Sequence, residues 1–390
     1  MTRRRGIPPH RRKIVLIKRT IVVCIGLFLL FGIGKFMSGL FSQSDSPEAV
    51  ATKEEQTETS KEETKEKAVT PGEEPEITLT FSGDTMFDWG LRPVIAKHGA
   101  DYPFQHVKSE VEKADYSFVN LESTFTTRSE KFNGQLFWIK SDPSTLQAVK
   151  NTGFDLVNLG HNHSLDYLEE GLVDSITHVE EAGFDYIGAG RNEEEAYKPK
   201  EVEIKGKKFK FFTFVRFYPD YRWVATKDKP GVPNGYDLDL LIEKINEQKG
   251  DADYVIVYMH WGIEKTNTPA PYQKEYVKRM VEEAGVDAIV GSHPHWLQGF
   301  EYYNGVPVAY SLGNFLFPDY VKGHSAETGV LTLKAKGDKI DMSFNPYMIR
   351  NNQISPVEGK ERTKMLKYLQ SVSPKVTIDE DGNVTAKEGT

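Results

Sequence analysis

The chain has 390 residues, with 49 lysines and arginines against 57 aspartates and glutamates, ten histidines and a single cysteine. Nine of the basic residues fall within the first 35 positions, where there is no acid, so the remainder holds 40 basic against 57 acidic residues, a net of −17. An acidic domain of this kind has no general basic surface for nucleic acid, and the lone Cys24 excludes an intramolecular disulfide framework.

In chain order, a basic tail over 1–19 precedes an uncharged run from Thr20 to Gly34, which continues to Phe41 with only Lys35 interrupting. About 20 apolar residues cross a bilayer core, and Lys35 can snorkel to the interface. Residues 20–41 are therefore predicted to be a transmembrane anchor. The basic flank ahead of it places the N-terminus in the cytoplasm and the main domain outside, as a single-pass protein of the cell membrane. No small-x-small cleavage site follows, and Val23 before Cys24 does not suit a lipoprotein box, so an uncleaved anchor is expected. Residues 42–76 carry eleven acids, four lysines and no aromatic side chain. Such a segment cannot bury enough to offset the entropy of ordering, and a disordered acidic linker is predicted.

From residue 77 the pattern alternates between strand and helix. ITLTFSGD (77–84) and ADYSFVNLES (114–123) read as strands, and ADYVIVYMHWG (252–262) as a third. NTGFDLVNLGHNH (151–163), EAGFDYIGAG and EAGVDAIVGSHPH (283–295) each place a helix-closing glycine before an apolar β run, the signature of αβ units. VPVAYSLGNFLF (306–317) and the stretch 329–349 read as strands and a hairpin, so a mixed sheet system is expected. The organised domain is set at 77–350, with 351–390 as a C-terminal extension containing a small hairpin around Asp381-Gly382.

Polar residues gather at the ends of these strands. Asp84 ends the first, and Asn120 with Glu122 the second. His161, Asn162 and His163 follow the run within 151–163, His260 and Glu264 close the run 252–262, His293 and His295 the run within 283–295, and Asn314 follows AYSLG. In open α/β sheets ligands bind just beyond the carboxyl ends of strands, so these groups should converge. Five of the ten histidines lie in these positions. Imidazole nitrogen mixed with carboxylate and amide oxygen suits Mn, Zn or Fe, and two such ions can clamp a phosphoryl group and generate a nucleophile. Glu122 is a candidate bridge. A further candidate lies in 215–237, a loop rich in aromatics and prolines, where Arg216 and Arg222 could meet the carboxylates of a polyanion.

FSGDTMF (81–87), NLES (120–123), NLGHNHSLDY (158–167), HWGIE (260–264), GSHPH (291–295) and SLGNF (311–315) together resemble the CapA family of poly-γ-glutamate capsule biosynthesis proteins. That family resembles calcineurin-like metallophosphoesterases, which implies an αββα sandwich with a dinuclear metal site. On this resemblance Asp84 binds one ion and Glu122 bridges. Asn162, His260 and His293 bind the second ion, and His295 returns to the first. His163 is the implied proton donor, with Asp166 orienting its ring, while Asn120, Glu264 and Asn314 are placed on the substrate side. Phosphoesterases of this type carry Asp-x-His on the first strand, whereas this chain has Asp84-Thr85-Met86. Met86 is expected to pack in the core, leaving the first ion Asp84, Glu122 and His295, with His161 or water. Two functions stay open: a metal-dependent hydrolase acting on a phosphoester or an envelope polymer, or a non-catalytic metal-binding scaffold of a capsule-synthesis complex. Both imply the membrane, polyglutamate synthase components and an anionic polymer as partners.

Overall fold

The computed structural model describes residues 74–388. The basic tail, the anchor over 20–41 and nearly all of the acidic linker lie outside the described residues. No helix among the described residues is long and apolar enough to cross a membrane. The first strands are β1 (Ile77–Thr85), β2 (Tyr116–Asn120), β3 (Thr124–Phe125), β4 (Lys140–Ser141), β5 (Leu156–Asn158), β6 (Asp185–Ile187), β7 (Lys200–Ile204), β8 (Lys207–Val215) and β9 (Tyr254–His260). They are followed by β10 (Ala288–Ser292), β11 (Phe300–Tyr303), β12 (Val306–Ala309), β13 (Asn314–Leu316), β14 (Glu327–Lys336), β15 (Lys339–Arg350), β16 (Gln353–Pro356), β17 (Val376–Ile378) and β18 (Asn383–Ala386). Between them run helices α1 (Leu91–His98), α2 (Lys108–Val111), α3 (Leu146–Thr152), α4 (Leu168–Glu181), α5 (Glu193–Ala196), α6 (Leu238–Gln248), α7 (Pro271–Ala284) and α8 (Gly359–Val372).

Two sheets carry the domain. One runs β17-β18-β15-β14-β1-β2-β5-β6, with β13 beside β1 and β16 beside β15; the other runs β11-β12-β10-β9-β8-β7. The β1-β2-β5-β6 and β8-β9-β10-β12 portions are parallel, while the long β14–β15 hairpin is antiparallel. Parallel neighbours need crossover connections, which the helices supply. Gly153 closes α3 and Gly285 closes α7, with φ of +101° and +62°, a conformation that costs glycine nothing extra.

Strand periodicity decides the layering. Tyr254, Ile256 and Tyr258 of β9 face the other sheet, packing with Ile77, Leu79 and Phe81 of β1 and Phe118 of β2. The alternate residues Val255, Val257 and Met259 face α6 and α7, meeting Leu241, Ile245, Val277 and Met280. On the far side, Val119 and Val157 pack under Val149 of α3 and Leu172, Ile176 and Val179 of α4. The result is helix, sheet, sheet, helix, a mixed α/β fold in four layers. Phe118 and Tyr258 meet between the sheets with ring centroids 4.5 Å apart. Truncating either to alanine should cost about 3–5 kcal/mol by loss of burial and the cavity left behind.

The ordered domain does not stop at residue 350. β16 and β18 pair with β15, and β17 pairs with β18 around the Asp381-Gly382 turn. Leu369 of α8 and Val376 and Val384 of the final hairpin join the core between the sheets, so residues 351–388 belong to the same packed unit.

Candidate metal centre

β1, β2, β5, β9 and β10 end at one edge, and the segments that follow them meet there. Asn120 Nδ2 reaches Ser292 Oγ at 3.3 Å, joining residues 172 positions apart in the chain. The close fit begins at Gly83, where an added Cβ would lie 2.1 Å from the Gly313 carbonyl oxygen. A register irregularity between Ser82 and Asp84 follows. It sets Asp84 level with Asn120 on one side and Asn314 on the other.

Two groups of donors result, all buried except the partly exposed His295, and they share one member. Asp84, Glu122 and His295 form the first, and Glu122, His260 and His293 the second, with the ligand atoms of each group within 4.8 Å of one another. In the first group His295 Nδ1 lies 3.4 Å from Asp84 Oδ2 and 3.7 Å from Glu122 Oε2. In the second His260 Nε2 lies 3.6 Å from Glu122 Oε1 and 2.7 Å from Asn162 Oδ1.

The fit to cations can be tested on the polar atoms themselves. Both oxygens of Glu122 are buried and accept no hydrogen bond, and His293 Nδ1 is likewise buried and unpartnered. Orphaned groups of this sort are rare in folded proteins unless an ion or water satisfies them. His260 Nδ1 is 3.1 Å from Ser292 Oγ, a contact that orients the ring and turns Nε2 toward Asn162 Oδ1 and Glu122. Burial holds His260 well below its ordinary pKa and takes His293 down to about 3, so both imidazoles are neutral, as metal ligation requires. Burial, then the neighbouring Asp84 charge, pushes Glu122 well above the usual carboxylate range. Burial opposes charge on His295 too, but Glu122 and Asp84 outweigh it and push this imidazole up to about 10. A proton thus stands in the first group where a cation would otherwise supply positive charge.

Several residues support these donors. Asp84 Oδ1 accepts from Asn120 Nδ2 at 2.7 Å, and Oδ2 accepts from the His293 backbone N–H at 3.2 Å. The second contact needs His293 at φ +99°, and His295 follows at +58°; left-handed backbone at a non-glycine residue is a cost concentrated at functional sites. Asn158 Nδ2 donates to Asn120 Oδ1 at 2.7 Å. His163 Nδ1 is 2.7 Å from Asp166 Oδ2, which also accepts from the Ile139 N–H at 2.7 Å.

Asn120 and Asn314, expected on the substrate side, are buried and hydrogen-bonded within the site's own framework. Asn314 Oδ1 stands 2.8 Å from His295 Nδ1, with its amide held by Nδ2 donating to the Ser325 carbonyl at 2.8 Å. Asn314 thus joins the approach to the first group, while His161 Nδ1 accepts from the His163 N–H at 3.1 Å and its buried Nε2 has no hydrogen-bond partner among the described residues. Met86 packs with Ile139, Phe317 and Ile349. Glu264 is exposed and acts on Glu122 and His295 only through its charge. Arg216 and Arg222 do not form a pair. Arg216 lies over the rings of Tyr236 and Tyr272 at 3.9 and 4.5 Å, and Arg222 forms a two-pronged pair with Asp220 at 2.9 and 2.6 Å. The loop's contribution is Phe217, stacked on His293 with centroids 4.6 Å apart. Nothing in the local sequence marks Phe217 or Gln135 for the site, whereas Asn158 and Ser292 fall within the NLGHNHSLDY and GSHPH motifs.

Residues 78–319 match the family model described as bacterial capsule synthesis protein PGA_cap. The chain is 34% identical over 252 residues to the capsule biosynthesis protein CapA of Bacillus anthracis, covering 63% of this chain and 61% of that one. It is 32% identical over 246 residues to the PGA biosynthesis protein CapA of Bacillus subtilis (strain 168), covering 62% and 63%. The match therefore spans less than two thirds of either relative's length. Among solved structures it is similar to the calcineurin-like phosphoesterase YfkN from Bacillus subtilis, with TM-score 0.39, 17% identity and coverage of 76% of this chain and 98% of that one. With well over half of its length matched by the family model, the chain belongs to the bacterial capsule synthesis protein PGA_cap family.

Proposed function

We propose that the two donor groups hold a pair of divalent cations, Mn, Zn or Fe, bridged by Glu122, and that the domain is a metal-dependent hydrolase serving the synthesis or export of poly-γ-glutamate or a related anionic envelope polymer. The observation that carries this is Glu122: fully buried, shared by both groups, with neither oxygen hydrogen-bonded. Asp84, Glu122 and His295, with Asn314 Oδ1 alongside, would hold one ion; Glu122, Asn162, His260 and His293 would hold the other. Such a pair supplies activation of water and neutralisation of charge at the bond attacked. The chain's own residues do the rest. Asp166 accepts from His163 Nδ1, which orients the ring and supports its imidazolium form, from which the Nε2 proton would pass to the leaving group and leave neutral His163. Ser292 and Asn120 keep His260 and Asp84 in place.

The polymer assignment is supported by the names of the two Bacillus relatives. Anchoring over 20–41, an extracytoplasmic domain and contact with membrane synthase components belong to the same proposal, supported by the uncharged run and its basic flank. One observation favours a second role, a non-catalytic metal-binding scaffold: Met86 lies in an apolar cluster where related phosphoesterases place a ligand.

The test is the metal content of the full-length protein, purified in mild detergent, beside an Asn162→Ala/His293→Ala variant. Two equivalents lost in the variant, together with hydrolysis of a phosphoester or a γ-linked glutamyl chain, support the enzyme. Two equivalents without hydrolysis of either substrate class would leave the scaffold. A folded protein that takes up no ion would end both.

A further inference from the structure

Beside the metal centre lies a pocket of about 500 Å³ with aromatic walls, formed by Trp89, Trp138 and Tyr167, and three cations at its edge, Arg92, Lys131 and Lys140. It is built from the same segments as the site. Trp89 lies five residues beyond Asp84, and Tyr167 directly follows Asp166. The loop from β3 to β4, which carries Lys131 and Trp138, is pinned to the proton-donor pair, since Gln135 Nε2 donates to Asp166 Oδ1 at 3.0 Å and to the Asn162 carbonyl at 2.8 Å, and the Ile139 N–H donates to Asp166 Oδ2.

The charge in this pocket is not balanced. Asp88 is its one carboxylate, and its oxygens are already engaged by Arg92 Nε at 2.5 Å and the backbone N–H groups of Trp89 and Lys140 at 2.6 and 2.7 Å. Among the described residues neither Lys131 nor Lys140 is ion-paired with a carboxylate. Lys131 Nζ lies 4.7 Å from the Trp138 ring centroid, and Lys140 Nζ lies 4.8 Å from that of Tyr167 while donating to the Arg128 carbonyl at 2.6 Å. Burial, with Arg92 and Lys131 nearby, holds Lys140 below the ordinary lysine range. The arginines around this edge differ: Arg128 is paired with Asp174 and Arg222 with Asp220. On a domain that is strongly acidic overall, cations left over beside a candidate reaction centre have a ligand-sized use.

The geometry points to an anion subsite in which Lys131 and Lys140, with Arg92 behind them, take carboxylates of a polycarboxylate chain while the neighbouring unit lies at the metal centre. This names a substrate contact for the proposed function and rests on it. The aromatic walls fit the methylene stems of glutamyl units, and the cations fit their carboxylates.

The test is titration of full-length protein in detergent with a γ-linked glutamyl decamer, comparing wild type, Lys131→Gln/Lys140→Gln and Arg92→Gln. Metal content is measured on the same samples. The expected result is at least tenfold weaker binding in the lysine variant, several-fold in Arg92→Gln, and steep weakening with salt, all at unchanged metal content and melting temperature. A γ-linked glutaminyl decamer should bind no better than background. Equal affinity in wild type and lysine variant, or equal binding of the neutral oligomer, would overturn the subsite. Inorganic phosphate competing at the decamer's own concentration would also overturn it, marking a small-anion site. A wild type without metal would instead be the failure of the metal-centre proposal, which the same measurements reveal separately.

Discussion

Replacing Glu122 by glutamine should make the metal-free protein more stable while abolishing its response to metal, two effects of opposite sign from one atom. In the absence of an ion the carboxylate is fully buried beside Asp84 with no hydrogen bond to either oxygen. An unsatisfied buried polar group costs about 1–3 kcal/mol, and the isosteric amide removes the charge repulsion and adds two donors. A ligand that binds only the native state at about 100 times its dissociation constant stabilises it by about 2.7 kcal/mol. With about 315 described residues and roughly 2 cal/mol/K of unfolding entropy per residue, 1 kcal/mol corresponds to about 1.5 °C. Thermal unfolding is followed for both proteins, in chelator and in saturating Mn or Zn. Wild type should gain about 4 °C with metal; Glu122→Gln should melt about 1.5–4.5 °C higher than wild type in chelator and shift by less than about 1 °C with metal. The pH dependence has a fixed sign. The folded-state pKa of Glu122 is raised, so the stability it contributes in chelator is complete below the unfolded pKa of about 4 and is lost as pH rises. The variant's advantage must therefore widen from pH 5 to pH 8. A variant that melts several degrees below wild type in chelator, or keeps the full metal shift, would refute the bridging role.

Three other outcomes are expected. Asn314→Ala removes the oxygen beside His295 Nδ1 and should weaken one of two metal equivalents by about 10–100-fold, leaving the other; chelator competition showing both equivalents held as in wild type would contradict it. Metal uptake should release on the order of one proton at pH 7, because His295, raised to about 10, carries a proton that ligation displaces. Affinity should then rise with pH, and calorimetry giving the same apparent heat in buffers of different ionisation enthalpy would count against this. Away from the centre, Glu110 is raised by burial while accepting from Asn345 and Tyr347. Its contribution is lost as pH rises through the folded pKa, so Glu110→Gln should melt slightly above wild type at pH 8 and equally at pH 4, as scanning calorimetry at the two values can check.

The local chemistry of the centre was legible because it is carried on strand ends. Helix-closing glycines, Gly153 and Gly285, each ahead of an apolar run announced αβ units, and the polar groups after each run stood out against them. Asp84, Glu122, Asn162, His260, His293 and His295 could be named from their positions, and Met86 could be read as core because it is apolar amid donors. The surroundings were not legible. Two arginines in one loop suggested a carboxylate site, but Arg222 is neutralised by Asp220 two residues away and Arg216 is sheathed by tyrosines of other segments. The unpaired cations lie in the 128–140 loop, which no motif marks.

The sequence by itself determined which residues form strands, where they end and which donor atoms those ends carry, because backbone periodicity and helix closure are properties of neighbours in the chain. Only the tertiary structure decided that Glu122 is shared by two groups, that Asn120 and Asn314 serve as supports, and which charges stay unpaired. Those outcomes depend on contacts between residues far apart in the chain, such as His260 with Asn162 at 98 positions and Asn120 with Ser292 at 172. The energy of a buried charge is set by whatever folding brings within a few ångströms of it.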